Sequence, residues 1–499
     1  NTDEILSQWQ ASFDNTFGGP NRAPKFMMPN TISYLLRKAK QSQDTTLLEY
    51  VTTTLDKMAY GGIYDHIGGG FSRYSVDKKW HVPHFEKMLY DNAQMVSLYS
   101  NAYLATKDNL YKEVVTQTLA FIARECTNSE GAFYSSFDAD SLTQDGVLEE
   151  GAYYVFTKEE LTKELEEDFE LFSTYYNINS FGLWENNHYV LIRSKSDTVV
   201  CAEFGVTNQE LQIKKEIWRK ALLKYRNKRD KPRLDDKILT SWNGLMLKGY
   251  VDAYKAFQEP AYLKAALKNA HFIKTKQLQT SGALFHSYKD GKSTINGYLE
   301  DYAAVIDAFI GLYEITLDDQ WLFIANELTS YTYGHFFDSE KQLFYFTSDQ
   351  DPSLITRSFE YRDNVIPASN SMMAKNLYVL SHHFDNQTYG ATASQMLKNV
   401  LPEIEKYPSG FSNWLDLLAN FQNSFYEIVV VGEDAQQKVK EIHQYYLPNK
   451  LVAGSTKAGN SPLLKRRFIE NETFVYVCVN NACKMPQTQV TKAIDLIER

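Results

Sequence analysis

The chain has 499 residues, with 52 Lys and Arg against 62 Asp and Glu, for a formal charge of −10. That sign argues against nucleic acid, whose binding needs basic patches that neutralise phosphates, and no apolar run approaches the roughly 20 residues that span a bilayer. With 43% apolar and 14% aromatic residues it reads as globular, either as several domains or as one large toroidal architecture.

The first residues, NTDEILSQWQ, are neither basic nor apolar enough for a signal peptide, and the absence of Met at position 1 reads as a processed chain or a fragment. Cys126, Cys201, Cys478 and Cys483 are scattered, which is no disulfide framework, so cytoplasm is the expected location. Cys478 and Cys483 lack the C-x-x-C spacing of a redox dithiol and read as strand residues with incidental thiols.

Apolar residues at 3.6 spacing predict helices over 85–104, 111–122, 239–257, 261–276, 299–315, 321–333 and 371–382. They come in pairs joined by short connections such as QEPAY and LDDQW, the pattern of antiparallel helical hairpins. Short aromatic strands follow several pairs: GGGFSRYSV, GAFYSSFDAD, GALFHSYKDG and KQLFYFTSD. Their phenylalanines, Phe71, Phe133, Phe285 and Phe344, lie 62, 152 and 59 residues apart. A repeat of about 60–75 residues, two helices and a hairpin loop, predicts a mainly α fold, an (α/α)6 toroid over residues 1–424. An open α-solenoid fits less well, since its repeats are about 34–47 residues and lack strand insertions. From residue 425 a β-α-β-β-α pattern predicts a small α/β domain over 425–499.

Four segments hold candidate chemistry. The first is GGIYDHIGGGFSRYSVDKKWHVPHFEKMLYDNAQM (61–95), with Asp65, His66, Arg73, His84 and Glu86 around the glycines Gly68, Gly69 and Gly70. Pro83 reads as a helix start, which would put His84 and Glu86 at a helix N-terminus facing the glycine loop, one wall of a shared pocket. His81 and His84 have no third ligand of matching spacing, so no metal or other cofactor is expected. The second is SSFDADS, where Asp138 and Asp140 share one face of a strand and Glu149 and Glu150 return on its partner. A carboxylate cluster suits a general acid beside an ionised base; a solvated acidic hairpin is the alternative. The third is LDDKILTSWNGLML, where Asp235 and Asp236 precede a helix carrying Trp242 and Asn243. The fourth is GYLEDYAAVIDAF, where Glu300, Asp301 and Tyr302 head another apolar helix. In a toroid such helix ends converge.

The 61–95 segment, DDKILTSWNGLM, LEDYA and YVCVNNACKMP together resemble the YyaL-like, spermatogenesis-associated protein 20 family over nearly the whole chain. Members of that family typically begin with a thioredoxin-like domain, followed by an (α/α)6 region similar to N-acylglucosamine 2-epimerases and six-hairpin glycosidases. This chain looks like the remainder, so the resemblance implies a thioredoxin-like domain as partner in the full-length protein. It also implies a small saccharide as ligand. Epimerase chemistry, which uses a histidine pair, would fall to His66 and His84. Glycosidase chemistry, which uses carboxylates, would fall to Asp138, Asp140, Asp236 and Glu300. Asp65, Arg73, Glu86, Trp242, Asn243, Asp301 and Tyr302 would bind the sugar. The other reading is a non-catalytic ligand- or partner-binding module accessory to the thioredoxin-like domain.

Overall fold

The computed structural model describes residues 1–353 and 356–498. The helices are α1 (Thr2–Gln10), α2 (Pro29–Gln41), α3 (Thr45–Tyr60), α4 (Leu89–Thr106), α5 (Asn109–Glu125), α6 (Lys158–Leu165), α7 (Phe169–Tyr176), α8 (Asp197–Phe204), α9 (Asn208–Arg226), α10 (Thr240–Phe257), α11 (Pro260–Phe272), α12 (Leu299–Thr316), α13 (Asp319–His335), α14 (Ser369–Phe384), α15 (Gln387–Ile404), α16 (Ser412–Gln422), α17 (Ala435–Ile442) and α18 (Val490–Ile494).

The predicted toroid is what forms. Inner helices α2, α4, α10, α12, α14 and α16 pack side by side in that order, and α16 returns to α2, closing the ring. Helices α3, α5, α11, α13 and α15 lie outside their inner partners. The sixth outer position is taken by α1, whose Trp9 stacks on Tyr34 of α2 and whose Thr2 reaches Gln422 of α16.

The repeat is written in its caps. Four inner helices end on a left-handed residue (Lys107, Gln258, Leu317, Asp385), and the next residue takes the N-cap position of the outer helix. Asp108, Asp318 and Asn386 accept N–H bonds there, which satisfies donors orphaned at a helix start. A second signature lies at the other end. Asn92, Asn243 and Asn370 each bond both the N–H and the C=O of a strand phenylalanine: Phe71 (2.7 and 3.1 Å), Phe133 (2.8 and 3.0 Å) and Phe344 (2.8 and 2.8 Å). In the remaining unit the Tyr302 hydroxyl accepts from Leu284 N–H at 2.9 Å. The third repeat position in chain order is therefore Leu284, one residue before the expected Phe285.

The long gap between Phe133 and the next repeat is an insertion, not further repeat units. Helices α6 to α9 gather around their own core of Phe156, Phe172, Tyr175 and Trp218. Their 3.6 periodicity is the same as that of a ring helix, because the period records one buried face and not what covers it.

The C-terminal domain is a four-stranded sheet of β1 (Tyr426–Val431), β2 (Lys450–Ser455), β3 (Phe474–Val479) and β4 (Ala482–Cys483), in order β2-β1-β3-β4 with β1 and β2 parallel. It sits on the C-terminal ends of the inner helices: Lys107 donates to Gln444 C=O, Gln258 to Lys440 C=O, Gln436 to Thr316 C=O, and His382 pairs with Glu427. Cys478 and Cys483 are not incidental thiols; they form a disulfide. Asn480 and Asn481, both at positive φ, make the two-residue turn that sets Cys478 opposite Cys483 in the ladder.

The glycine run also differs from its expected role. Gly69 and Gly70 have φ of +81° and +87°, and a Cβ on Gly69 would stand 2.1 Å from Gln117 C=O of α5. The run packs the loop against an outer helix rather than walling a pocket.

Asn92→Ala would leave two buried backbone groups unpaired, and the expected loss is about 3 kcal/mol of stability, read by denaturant unfolding. Near-wild-type stability would show that the asparagine clamp does not hold the strand to the ring.

Candidate active site

Along α10 the partly accessible residues include Trp242, Leu245, Lys248 and Lys255; along α12 they include Glu300 and Asp307. Spacings of three and seven place each set on one helix stripe, and in a closed ring that stripe faces the axis. The lumen is a cavity of about 370 Å³. Four of its cations are paired with carboxylates, which offsets the cost of burying their charge. Lys248 meets Asp252 at 3.0 Å, Lys255 meets Glu314 at 2.7 Å, Lys375 meets Asp416 at 2.8 Å, and Arg37 reaches Asp416 at 3.2 Å.

Both ends of the lumen are covered. At the inner-helix N-termini, residues 362–367 reach over it: Gln94 of α4 donates to Val365 C=O at 2.9 Å and Asn30 of α2 to Asn364 C=O at 3.0 Å. Asp363 anchors this loop by accepting from Ala368 N–H, Ser371 Oγ and Asn413 N–H. At the other end, Tyr445, Tyr446, Leu447, Pro448 and Lys450 of the C-terminal domain form the floor.

The rim above the lumen is a connected set. Tyr90 of α4 meets Trp242 of α10 edge-on, with centroids 4.9 Å apart. Asp301 of α12 accepts from Ser241 N–H at 2.8 Å and Tyr298 N–H at 2.9 Å, and contacts His286 Nδ1 at 2.8 Å. Burial, with the charges of Asp301 and Glu360, pushes the Glu300 carboxyl up to about 7. Asp91 is buried with Oδ2 unpartnered; burial, with Glu86 adding to it, raises its carboxyl well above the ordinary range against the pull of Arg73. Arg73 in turn meets Glu86 at 3.4 Å.

Among the expected site residues, Arg73, Glu86, Trp242, Glu300 and Asp301 stand in this rim network. The others do not join it. His66 is buried against the insertion beside Tyr64 and Tyr176, its Nε2 on Gly61 C=O at 2.9 Å, and burial and Arg193 push it down to about 4. His84 lies on a short strand, not at a helix start, stacked on Tyr74 with Nδ1 2.8 Å from Glu150. Asp65 is buried between Lys87 (2.8 Å) and Arg226 (2.7 Å), which hold its carboxyl well below the usual range although burial alone would raise it. Asp138 pairs with Arg233 at 3.4 Å and Asp236 with Lys289 at 3.4 Å, both half-exposed, while Asp140 is exposed opposite Glu150. The acidic hairpin is thus the solvated one. Asn243 and Tyr302 are occupied as clamps.

The sequence reading missed the lumen charges Lys248, Asp252, Lys255, Asp307, Glu314, Lys375 and Asp416, and the rim groups Asp91, His286 and Glu360. A signal existed for the first set: α10 and α12 are apolar nearly all round, so charges recurring at three, four or seven in them have to face a polar interior.

No family model matches the chain. Among solved structures it is similar to a family 105 glycoside hydrolase from C. acetobutylicum (TM-score 0.45, 10% identity, 81% of each chain). It is also similar to a family 76 mannosidase from Bacteroides thetaiotaomicron (0.44, 10%, 79% and 84%). A third is cellobiose 2-epimerase from Bacillus thermoamylovorans (0.31, 15%, 68% and 87%). At these values the likeness carries no argument about chemistry, and the architecture rests on the ring's own closure. Among curated proteins, spermatogenesis-associated protein 20 of Homo sapiens is 31% identical over 529 residues, covering 97% of this chain and 67% of that protein. The Mus musculus protein of that name is 30% identical over 537 residues with the same coverage. An uncharacterized protein of Caenorhabditis elegans is 28% identical, covering 99% and 73%. The chain belongs to the spermatogenesis-associated protein 20 family.

Proposed function

We propose that the lumen and its rim bind a small saccharide and that Glu300 exchanges a proton with it. The observation that carries this reading is a carboxyl poised at about 7 in the first turn of α12, the helix whose Asp307 and Glu314 line the polar cavity. A group with that affinity is half protonated at neutral pH, so it can serve as general acid or base. Trp242 offers a face for a sugar ring, and carboxylates and amides down the lumen suit hydroxyl groups, which both donate and accept. Glu360, which accepts from Ser369 N–H at 2.7 Å, is the second carboxylate felt by Glu300. Two carboxyl groups in unlike surroundings make an acid–base pair. With His66 and His84 both engaged away from the lumen, carboxylates rather than a histidine pair carry the proposed chemistry.

The test is a panel of reducing mono- and disaccharides and aryl glycosides followed by NMR in D₂O, which reports C2 exchange, epimerisation and hydrolysis together. Turnover is expected to fall about 10²–10⁴-fold in Glu300→Gln. If Glu300 acts as acid, the rate drops above about pH 7; if as base, it drops below. A panel with no binding and no turnover sinks the reading, and binding without turnover leaves the non-catalytic module.

Stability gives an independent check. Folded Glu300 keeps its proton up to about 7 while the unfolded carboxyl loses it near 4.5, so the folded state binds more protons between those values and loses stability as pH rises through them. Glu300→Gln is therefore expected to match wild type at pH 4.5 and to exceed it by about 1–2 kcal/mol at pH 8. Equal melting temperatures at pH 8 would contradict the burial assigned to this carboxyl.

A further inference from the structure

The lumen lining carries five cationic side chains, Arg37, Lys248, Lys255, Lys375 and Lys450, against the four carboxylates Asp252, Asp307, Glu314 and Asp416. Four of the cations have a carboxylate partner within 3.2 Å. The Lys450 side chain has no hydrogen bond or ion pair among the described residues, although its backbone is in register with Tyr426 in the sheet. It opens β2, and the strand is fastened to α12 immediately beyond it: Val452 N–H donates to Glu314 Oε2 at 2.7 Å, and Gly454 N–H to Tyr313 Oη at 3.2 Å. The side chain is thereby delivered to the lumen floor by a fixed element. The charged groups around it are Lys255, Glu314, Lys248 and Asp252. Both carboxylates are already engaged, Glu314 by Lys255 and Val452 N–H, Asp252 by Lys248. His443, also at the floor, is pushed down to about 3 by burial and by Lys255 and Lys450, and so adds no charge at neutral pH.

A half-buried ammonium ion with no counter-ion is costly unless something supplies one. We propose that the floor of the lumen binds an anionic group, a carboxylate or a phosphate on a small ligand, with Lys450 as its counter-ion. Burial and the neighbouring lysines lower the Lys450 ammonium to about 8, the response of a cation that lacks its anion. The anion contact stands on Lys450 alone; only the identity of the rest of the ligand, an acidic sugar rather than a neutral one, rests on the saccharide reading.

Titration calorimetry with inorganic phosphate, D-glucuronate and D-glucose, on wild type, Lys450→Met and Lys457→Met, separates the outcomes. Lys457 is an exposed lysine of the same domain and serves as control. Saturable binding of phosphate or glucuronate is expected, weakened at least 10-fold in Lys450→Met and unchanged in Lys457→Met. Phosphate without glucuronate assigns a phosphate group, and the reverse assigns a carboxylate. Phosphate binding with neither sugar bound keeps the anion site and overturns the saccharide reading. Absence of anion binding to wild type, or equal binding to Lys450→Met, overturns the proposal. Should Lys450→Met fail to fold, reductive methylation of wild type at pH 8 gives the same decision by mass spectrometry. Phosphate is expected to protect Lys450 at least several-fold, and equal labelling with and without phosphate overturns the site.

Discussion

Six helices packed side by side in a ring cannot meet on its axis. With neighbours 8–10 Å apart, helices facing each other across the ring have axes roughly 16–20 Å apart, leaving about one helix diameter between them. Side chains must reach into that space, and in this protein they are largely polar and charged. Everything that gives the molecule a site follows. The charges have to be paired, which fixes Lys248, Lys255, Lys375 and Arg37 on their carboxylates. Both ends then have to be managed, by the 362–367 loop at one and the C-terminal domain at the other.

The two ends are electrically unlike. All inner helices start at the rim and finish at the floor, so their dipoles add in one direction. Acids at the rim, Asp91, Glu300 and Asp301 in first turns, suit the positive helix ends; Lys255 in a last turn and Lys450 beside it suit the negative ends. The rim carboxyls nonetheless lose solvent, and burial wins over the dipole for Glu300 and Asp91, which hold their protons more tightly than free acids. A proton-holding rim above a cationic floor gives the cavity a direction along which an unsymmetrical ligand would align.

Much of this was legible in the chain. The period of apolar residues, the short inner-to-outer connections and the aromatic strands announced a ring of hairpins. LEDYA and TSWNG marked two rim segments because acids and aromatics at an apolar helix start are locally unusual. The densest motif misled. Asp65, His66 and the glycines look catalytic because titratable groups and flexible backbone are rare together, yet they fasten a loop to α5 and α9. A buried ion triad and an active site call for the same residue types; the size of the adjoining cavity separates them, about 10 Å³ beside Asp65, Lys87 and Arg226 against about 370 Å³ in the lumen.

Local sequence by itself determined what depends on neighbours in the chain: helix periods, left-handed caps at Lys107, Gln258, Leu317 and Asp385, and the Asn480–Asn481 turn that aligns two cysteines. Closure of the ring decided the rest, because it sets which helix stripe faces the axis. Asp307 and Glu314 became lumen groups, Asn243 and Tyr302 became clamps, and Lys450, from a strand far along the chain, was brought beside Lys255. Charge pairing and solvent access are properties of that enclosed space, and no stretch of sequence contains it.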